Sequence, residues 1–178
     1  MEKVKKKEPM LRFPHFTNEW IENKLELITS KIGDGLHGTP SYVEDSGYYF
    51  INGNNLFDGK INLNGTSKQV SFIDYKKNNK GITFNSILIS INGTIGTIAR
   101  YNGENIMLGK SVGYLIFESD CSFFYYCLQT DKVQNHFISE LTGTTIKNLS
   151  LKTLRETKVI YPTDNEQQKI SSFCLNPR

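Results

Sequence analysis

The chain has 178 residues and a net charge of +3, with 38% hydrophobic and 12% aromatic residues. This length suits one domain with a sizeable core, and the aromatic content excludes an intrinsically disordered chain. No apolar stretch could span a bilayer, the basic N-terminus lacks the apolar segment of a signal peptide, and the three cysteines form no Cys-x-x-Cys pair. We therefore expect a cytoplasmic protein with no membrane partner, no metal site and no disulfide framework.

Turn-forming pairs punctuate the chain up to residue 103. Asn and Asp tolerate left-handed backbone and Gly adopts it freely, so such pairs predict tight reversals. Between them lie runs that are typical of strands, namely "YYFIN", "KINL", "QVSFI", "SILISI", "TIARY", "NIML" and "SVGYLIF". The pattern predicts a hairpin-rich, strongly twisted β-structure from about residue 25 to 118. The pairs are Asp34-Gly35, Asn52-Gly53, Asp58-Gly59, Asn64-Gly65, Asn92-Gly93 and Asn102-Gly103.

The periodicity changes after residue 119. Apolar residues in "SDCSFFYYCLQTDKVQNHFISELT" recur at helical spacing, which predicts one helix or two short ones between 120 and 141. Asp120 and Asp131 are the predicted N-caps.

The C-terminal part alternates helix and strand. Ser150 is predicted to cap a short helical turn, and a strand should cover about 157–161. Thr163 and Glu166 have the spacing of a capping box, so a helix should begin at about 164. The predicted fold class is α+β, with C-terminal helices after the β-structure.

The stretch "SINGTIGTIARY" has two glycines, Gly93 and Gly96, directly after an apolar run. A phosphate-binding loop would need a lysine after its last glycine, and a dinucleotide fingerprint would need a helix there. Neither follows, because "TIARY" is typical of a strand. The stretch is therefore predicted to be a hairpin or sharp β-turn.

No catalytic constellation is recognisable. Of the three histidines, His15 has no evident partner and His136 is typical of an ordinary, partly exposed helical histidine; the third is His37. The chain has no Gly-x-Ser-x-Gly elbow. The residues by themselves therefore indicate no active site.

Two stretches are candidates for ligand binding. "IGDGLHGTPSY" holds Asp34, His37, Thr39 and Tyr42 between glycines, which suits either a binding loop or a structural Ω-loop. Residues 60–110 have seven Lys or Arg residues against two acidic ones. This excess suits either a polyanion-binding surface or a solvated lysine-rich loop at "YKKNNKG".

Four stretches in order resemble the DNA-specificity (S) subunit of type I restriction–modification systems. "MLRFPHFTNEW" with "KLELI" resembles its opening, and "IGDGLHGTPSYVEDSGYYFINGNNLFDGKI" is similar to the first signature of its target recognition domain. "NSILISINGTIGTIARYNG" with "NIMLGKSVGYL" resembles the second, and "LTGTTIKNLSLKTLRETKVIYPTDNEQQKI" the third. Asn85-Ser86 departs from the family's Gly-Asp, and "SSFCLNPR" stands where the family has a long spacer helix.

The resemblance implies a target-recognition-domain-like fold, with 1–162 as the recognition domain and 163–178 as the start of a truncated spacer helix. It also implies a non-catalytic subunit that reads one half of a bipartite target and directs adenine methylation and restriction. The implied partners are double-stranded DNA, methyltransferase (M) subunits and restriction/motor (R) subunits. S-adenosylmethionine, ATP and magnesium would belong to those subunits, so no cofactor is expected on this chain.

The candidate DNA-binding residues come from the glycine loop, the basic stretch and the two later signatures. Lysines are assigned to phosphates, and smaller polar groups to base edges or to fixing the loops. The set is His37, Thr39, Lys76, Lys77, Lys80, Asn92, Thr94, Lys110, Ser111, Thr144, Thr145 and Lys147.

Two other classes stay open. The chain could be the recognition domain of a single-chain methyltransferase or restriction enzyme, although it lacks an Asn-Pro-Pro-Tyr-type motif and so should not methylate by itself. It could also be a β-rich module that binds sugars or proteins. Salt distinguishes these, because DNA binding weakens steeply as salt rises.

Overall fold

A computed structural model describes residues 9, 11–143 and 147–175. Within these ranges the chain forms twelve strands and five α-helices. The strands are β1 (Ile21–Lys24), β2 (Lys31–Asp34), β3 (Tyr42–Val43), β4 (Tyr49–Ile51), β5 (Leu56–Phe57), β6 (Lys60–Ile61), β7 (Gln69–Val70), β8 (Ser86–Ser90), β9 (Ile98–Arg100), β10 (Ile106–Leu108), β11 (Val112–Ile116) and β12 (Lys158–Tyr161). The helices are α1 (Phe72–Lys77), α2 (Ser122–Cys127), α3 (Asp131–Ser139), α4 (Leu151–Glu156) and α5 (Asp164–Leu175).

The central sheet is antiparallel and has the order β2-β11-β8-β9. β8 and β11 are buried along their whole length. Alternate side chains of β8 enter different cores: Ile87 and Ile89 pack with the C-terminal helices, whereas Leu88 packs with Ile51 and Leu108. Burial on both faces explains why this strand is an almost continuous apolar run in the sequence.

A second sheet has the order β10-β4-β7-β3. Its β4 and β10 are parallel, with Tyr49 opposite Ile106 and Ile51 opposite Leu108. The chain therefore leaves both strands at the same end, at Asn52 and Gly109. This parallel pair brings together two segments that are far apart in the sequence.

Helices α2, α3 and α4 cover one face of the central sheet. The rings of Phe117 and Phe124 stack with centroids 4.8 Å apart, and Phe137 and Leu154 are fully buried in the same cluster. β12 pairs antiparallel with β1, which joins the end of the chain to its beginning. In the described ranges no helix has the length and apolar character needed to cross a membrane.

The predicted order of elements is confirmed. Strands occupy the stretch before residue 118, helices follow, and β12 and α5 lie within a residue of the predicted bounds. Asp58 and Gly59 form the predicted two-residue hairpin turn, and both have the positive φ angles, 48° and 73°, that such a turn requires. Ser150 caps α4 by accepting a hydrogen bond from the Thr153 backbone N–H.

Several local predictions are wrong. Residues 76 and 77, which were predicted to lie in a basic loop, form the end of α1. Ser71 is the N-cap of this helix, and its side chain accepts a hydrogen bond from the Asp74 backbone N–H. The N-cap positions of α2 and α3 are Cys121 and Thr130, each one residue away from the predicted aspartates.

The Asp34-Gly35 pair is not a reversal. The backbone continues past Asp34 and Gly35 beside β11, where the Gly35 N–H donates to the Val112 carbonyl at 3.1 Å. Glycine is required there because a Cβ on Gly35 would collide with the Leu108 and Gly109 carbonyls.

Candidate functional site

Polar loops gather at the end of the central sheet where β8 ends and β11 begins. The Ile91 N–H donates to the Ser111 carbonyl at 2.9 Å, and the Leu36 N–H donates to the Leu108 carbonyl at 2.7 Å. Asn148 pairs with Asn92 as an isolated β-bridge. We call this surface the polar loop end; it consists of residues 35–41, 52–55, 91–97, 109–111 and 147–148.

Ser111 ties three of these segments together. Its hydroxyl accepts from the Gly53 N–H at 2.9 Å and donates to Asn52 Oδ1 at 3.0 Å. A Cβ on Gly109 would collide with Asn52 Oδ1, so glycine is what lets the two parallel strands end side by side. The Ser111 hydroxyl therefore holds the turn at Asn52 and Gly53 in place; its predicted part in DNA binding stays a prediction.

The glycine-rich stretch after β8 is the predicted hairpin connection between β8 and β9. Gly93 and Gly96 have φ angles of 77° and 85°, a region that side chains rarely adopt. The Thr94 hydroxyl lies 3.4 Å from the Gly53 carbonyl, which anchors the tip of the hairpin to the neighbouring turn. Asn92 and Thr94, both predicted site residues, thus lie in the polar loop end.

The glycine loop after β2 presents His37 and Thr39 to solvent. His37 Nε2 lies 2.7 Å from Asp34 Oδ2, and the His37 side chain is 72% exposed. Thr39 is also exposed. Because this contact is exposed to solvent, the loop has polar groups available for a ligand.

Two predicted lysines belong to this surface and three do not. Lys110 and Lys147 are exposed within the polar loop end. Lys76 and Lys77 end α1, and the Lys80 carbonyl accepts from Lys31 Nζ at 2.9 Å, at the opposite end of β2. The α1 lysines thus form a separate basic cluster.

Thr144 and Thr145 lie outside the described residues. Thr142 and Asn148, which flank this gap, pair as an isolated β-bridge with reciprocal backbone hydrogen bonds of 3.0 and 2.9 Å. The prediction for the two threonines stays a prediction.

Sequence reasoning missed an amide-rich turn. Residues Gly53–Asn55 form a 3-10 turn, and a neighbouring cavity of about 270 Å³ is lined by Phe50, Asn52, Asn54, Asn55, Asn62, Asn64, Thr66, Ser67 and Lys68. The sequence has many Asn residues in "INGNN" and "NLNG", but this pattern by itself predicts only turns. The contact between Asn52 and Ser111 could not be predicted from the sequence.

The groups with shifted pKa values lie elsewhere. Burial raises the pKa of the Cys127 thiol to about 11 and also raises that of Cys121 above its ordinary value. Both belong to the helical side of the core. Over the described part of the chain, no three His, Cys, Asp or Glu side chains gather closely enough to hold a metal ion.

Solved structures share this fold. The chain is similar to the type I restriction–modification S subunit of M. genitalium, with a TM-score of 0.62 and 22% identity over 92% of this chain and 40% of that one. The chain is also similar to a structure described for complex assembly and conformational transition of the type I R-M system. The TM-score is 0.60 and the identity 18%, over 90% of this chain and 39% of that one. For the HsdS subunit from Thermoanaerobacter tengcongensis the TM-score is 0.59 and the identity 16%, over 90% of this chain and 38% of that one.

The chain thus has a fold found in S subunits, and it spans about two fifths of the length of those structures. No curated protein matches it in sequence. The family model for the type I restriction modification DNA specificity domain matches residues 39–174. The chain belongs to this family.

Proposed function

We propose that this chain binds double-stranded DNA through the polar loop end and reads one half of a bipartite target. The observation that carries the proposal is the convergence of five separate polar segments on one end of a rigid sheet. Base edges are read by hydrogen bonds from side chains that the protein holds in fixed positions. The polar loop end supplies such groups, including Thr39, Asn92 and Thr94.

The charge of this surface suits a phosphate backbone. Lys110 and Lys147 belong to the polar loop end and are both exposed, so they are available to contact phosphates. Lys76 and Lys77 at the end of α1, and Lys80 after it, would contact phosphates only where the duplex also passes the other end of the sheet. Replacing all three together tests that contact separately.

The family membership supports a role as a specificity subunit. We infer that partner subunits carry the chemistry: methyltransferase subunits would supply S-adenosylmethionine and methylate adenine, and restriction subunits would use ATP. We assign residues 1–162 to DNA recognition and 163–178 to the start of a spacer helix. α5 packs against α2, so a partner that grips this helix would be coupled directly to the recognition domain.

The test is selection of binding sites from a randomised duplex library by the full chain at low salt. We expect enrichment of one short sequence, with an affinity that falls steeply as salt rises because counterions are released from the phosphates. Binding of glycans with little salt dependence, or no sequence enrichment from the library, would refute the proposal.

A further inference from the structure

The 3-10 turn at residues 53–55 is held unusually tightly for a surface turn. The Asn52 N–H donates to Asn55 Oδ1 at 2.9 Å, and the Asn55 N–H returns a bond of 2.9 Å to the Asn52 carbonyl. The Asn62 N–H donates to the Asn55 carbonyl at 2.7 Å, and Asn55 Nδ2 donates to the Asn62 carbonyl at 3.2 Å. With Ser111 and Thr94 bonded to Gly53, the turn is fixed on three sides.

Asn54 sits at the centre of this turn and takes no part in holding it. Its side chain is exposed and makes no hydrogen bond to any described residue. Among the non-glycine residues of the described ranges, positive φ occurs only at Asp45 and Asp58. The backbone at Asn54 therefore does not require an asparagine, and the turn would form equally well with other residues there.

The surroundings of Asn54 suit a nucleobase edge. Asn54 and Asn62 line the same open cavity of about 270 Å³, whose lining also includes Phe50 and Lys68. A carboxamide has one donor and one acceptor side, which match N7 and the N6 amino group of adenine in the major groove. Lys68 is exposed and its Nζ lies 4.4 Å from the centroid of the Tyr42 ring, so its charge suits a neighbouring phosphate.

We propose that Asn54 is a specificity-determining residue that reads the major-groove edge of one adenine in the target. The inference rests on the proposed function and deepens it. Nδ2 donates to adenine N7, and Oδ1 accepts from the N6 amino group. The rigid turn removes most of the ordering cost, since the side chain alone has to choose a rotamer on binding.

The experiment compares the full wild-type chain with Asn54→Ala in the same duplex selection. Each adenine of the selected duplex is then replaced in turn by 7-deazaadenine, which lacks the N7 acceptor. At one position we expect wild-type affinity to fall roughly fivefold to tenfold, because one of two hydrogen bonds is lost. Asn54→Ala should be insensitive to deazaadenine at that position and should no longer select its base.

A second variant, Asn54→Asp, keeps the size of the side chain and replaces the donor by a second acceptor. We expect it to reject adenine at that position and to favour cytosine, whose N4 amino group donates. The matched control is Asn105→Ala, an exposed amide directly before β10, at the opposite end of that strand from the turn. It should keep the wild-type selection and deazaadenine profile.

The outcomes separate the two claims. If the wild-type chain selects a sequence but both Asn54 variants select the same one with unchanged deazaadenine sensitivity, the inference is overturned and the proposed function stands. If the wild-type chain selects nothing, the proposed function fails and the inference with it. Thermal unfolding of both variants should match the wild type, since Asn54 holds nothing in place.

Discussion

The buried ion pair between Arg12 and Glu166 gives the sharpest stability prediction. Arg12 Nε and Nη2 donate to the two carboxylate oxygens at 2.7 Å each, and the Glu166 side chain is 0% exposed against 14% for Arg12. The Trp20 indole N–H lies 3.4 Å from the same carboxylate. This pair joins the first described segment of the chain to α5.

Glu166→Gln keeps the shape of the side chain and removes its charge. Removing one partner of a buried pair costs about 3–5 kcal/mol because the other charge stays buried. Arg12 keeps some exposure and also donates to the Asn18 carbonyl at 2.5 Å, so we expect the lower end. The midpoint of thermal unfolding should fall by roughly 6–12 °C for a loss of about 3 kcal/mol in a chain of this length.

Urea unfolding followed by the fluorescence of Trp20, the one tryptophan, measures the effect. Arg12→Met combined with Glu166→Gln should be more stable than Glu166→Gln alone, since both charges of the buried pair are then removed. The control is Glu26→Gln, which breaks an exposed 3.5 Å pair with Lys24 and should change stability by no more than about 0.5 kcal/mol. A Glu166→Gln effect as small as the control's would refute the reasoning.

Three further predictions concern the core, the thiols and the DNA contacts. Gly35→Ala should lower the free energy of unfolding by about 1–3 kcal/mol because the new Cβ meets backbone carbonyls. The control Gly65→Ala, whose Cβ meets nothing within 4 Å, should have little effect. Equal unfolding midpoints for the two variants would contradict this. At pH 8 iodoacetamide should label the exposed Cys174 well before Cys127, because burial raises the pKa of the Cys127 thiol to about 11. The labelling rate of Cys127 should rise as the pH approaches 11. Equal labelling rates of the two thiols at pH 8 would be inconsistent with the burial of Cys127. Lys110→Ala should reduce the salt slope of DNA binding by about one without changing the selected sequence, and an unchanged slope would remove Lys110 from the phosphate contacts.

The sequence predicts elements well where burial or turn chemistry is local. β8 and β11 were recognisable because their apolar runs are buried on both faces, and Asp58-Gly59 because a two-residue hairpin demands those residues. α1 was missed because its Phe72 and Ile73 are exposed, so it lacks the buried apolar stripe by which helices are recognised.

The site was predictable only in parts. Gly93 and Gly96 marked a hairpin, yet the position of Asn54 beside it depends on the parallel pairing of β4 with β10, which no local pattern encodes. Glu166 shows the same limit. Its spacing from Thr163 suggested a local cap, whereas its carboxylate bonds with Arg12 at the other end of the chain.

Photo-crosslinking tests most directly whether the polar loop end is the DNA-binding surface. p-Benzoylphenylalanine is introduced at Thr39, Thr94 or Lys110, and for comparison at Glu26 or Glu118, all of which are exposed. The chain is then irradiated with its selected duplex. We predict crosslinks from the three loop positions that disappear when unlabelled selected duplex competes, and none from the two glutamate positions. Crosslinks from Glu26 or Glu118 with none from the loops would contradict the account.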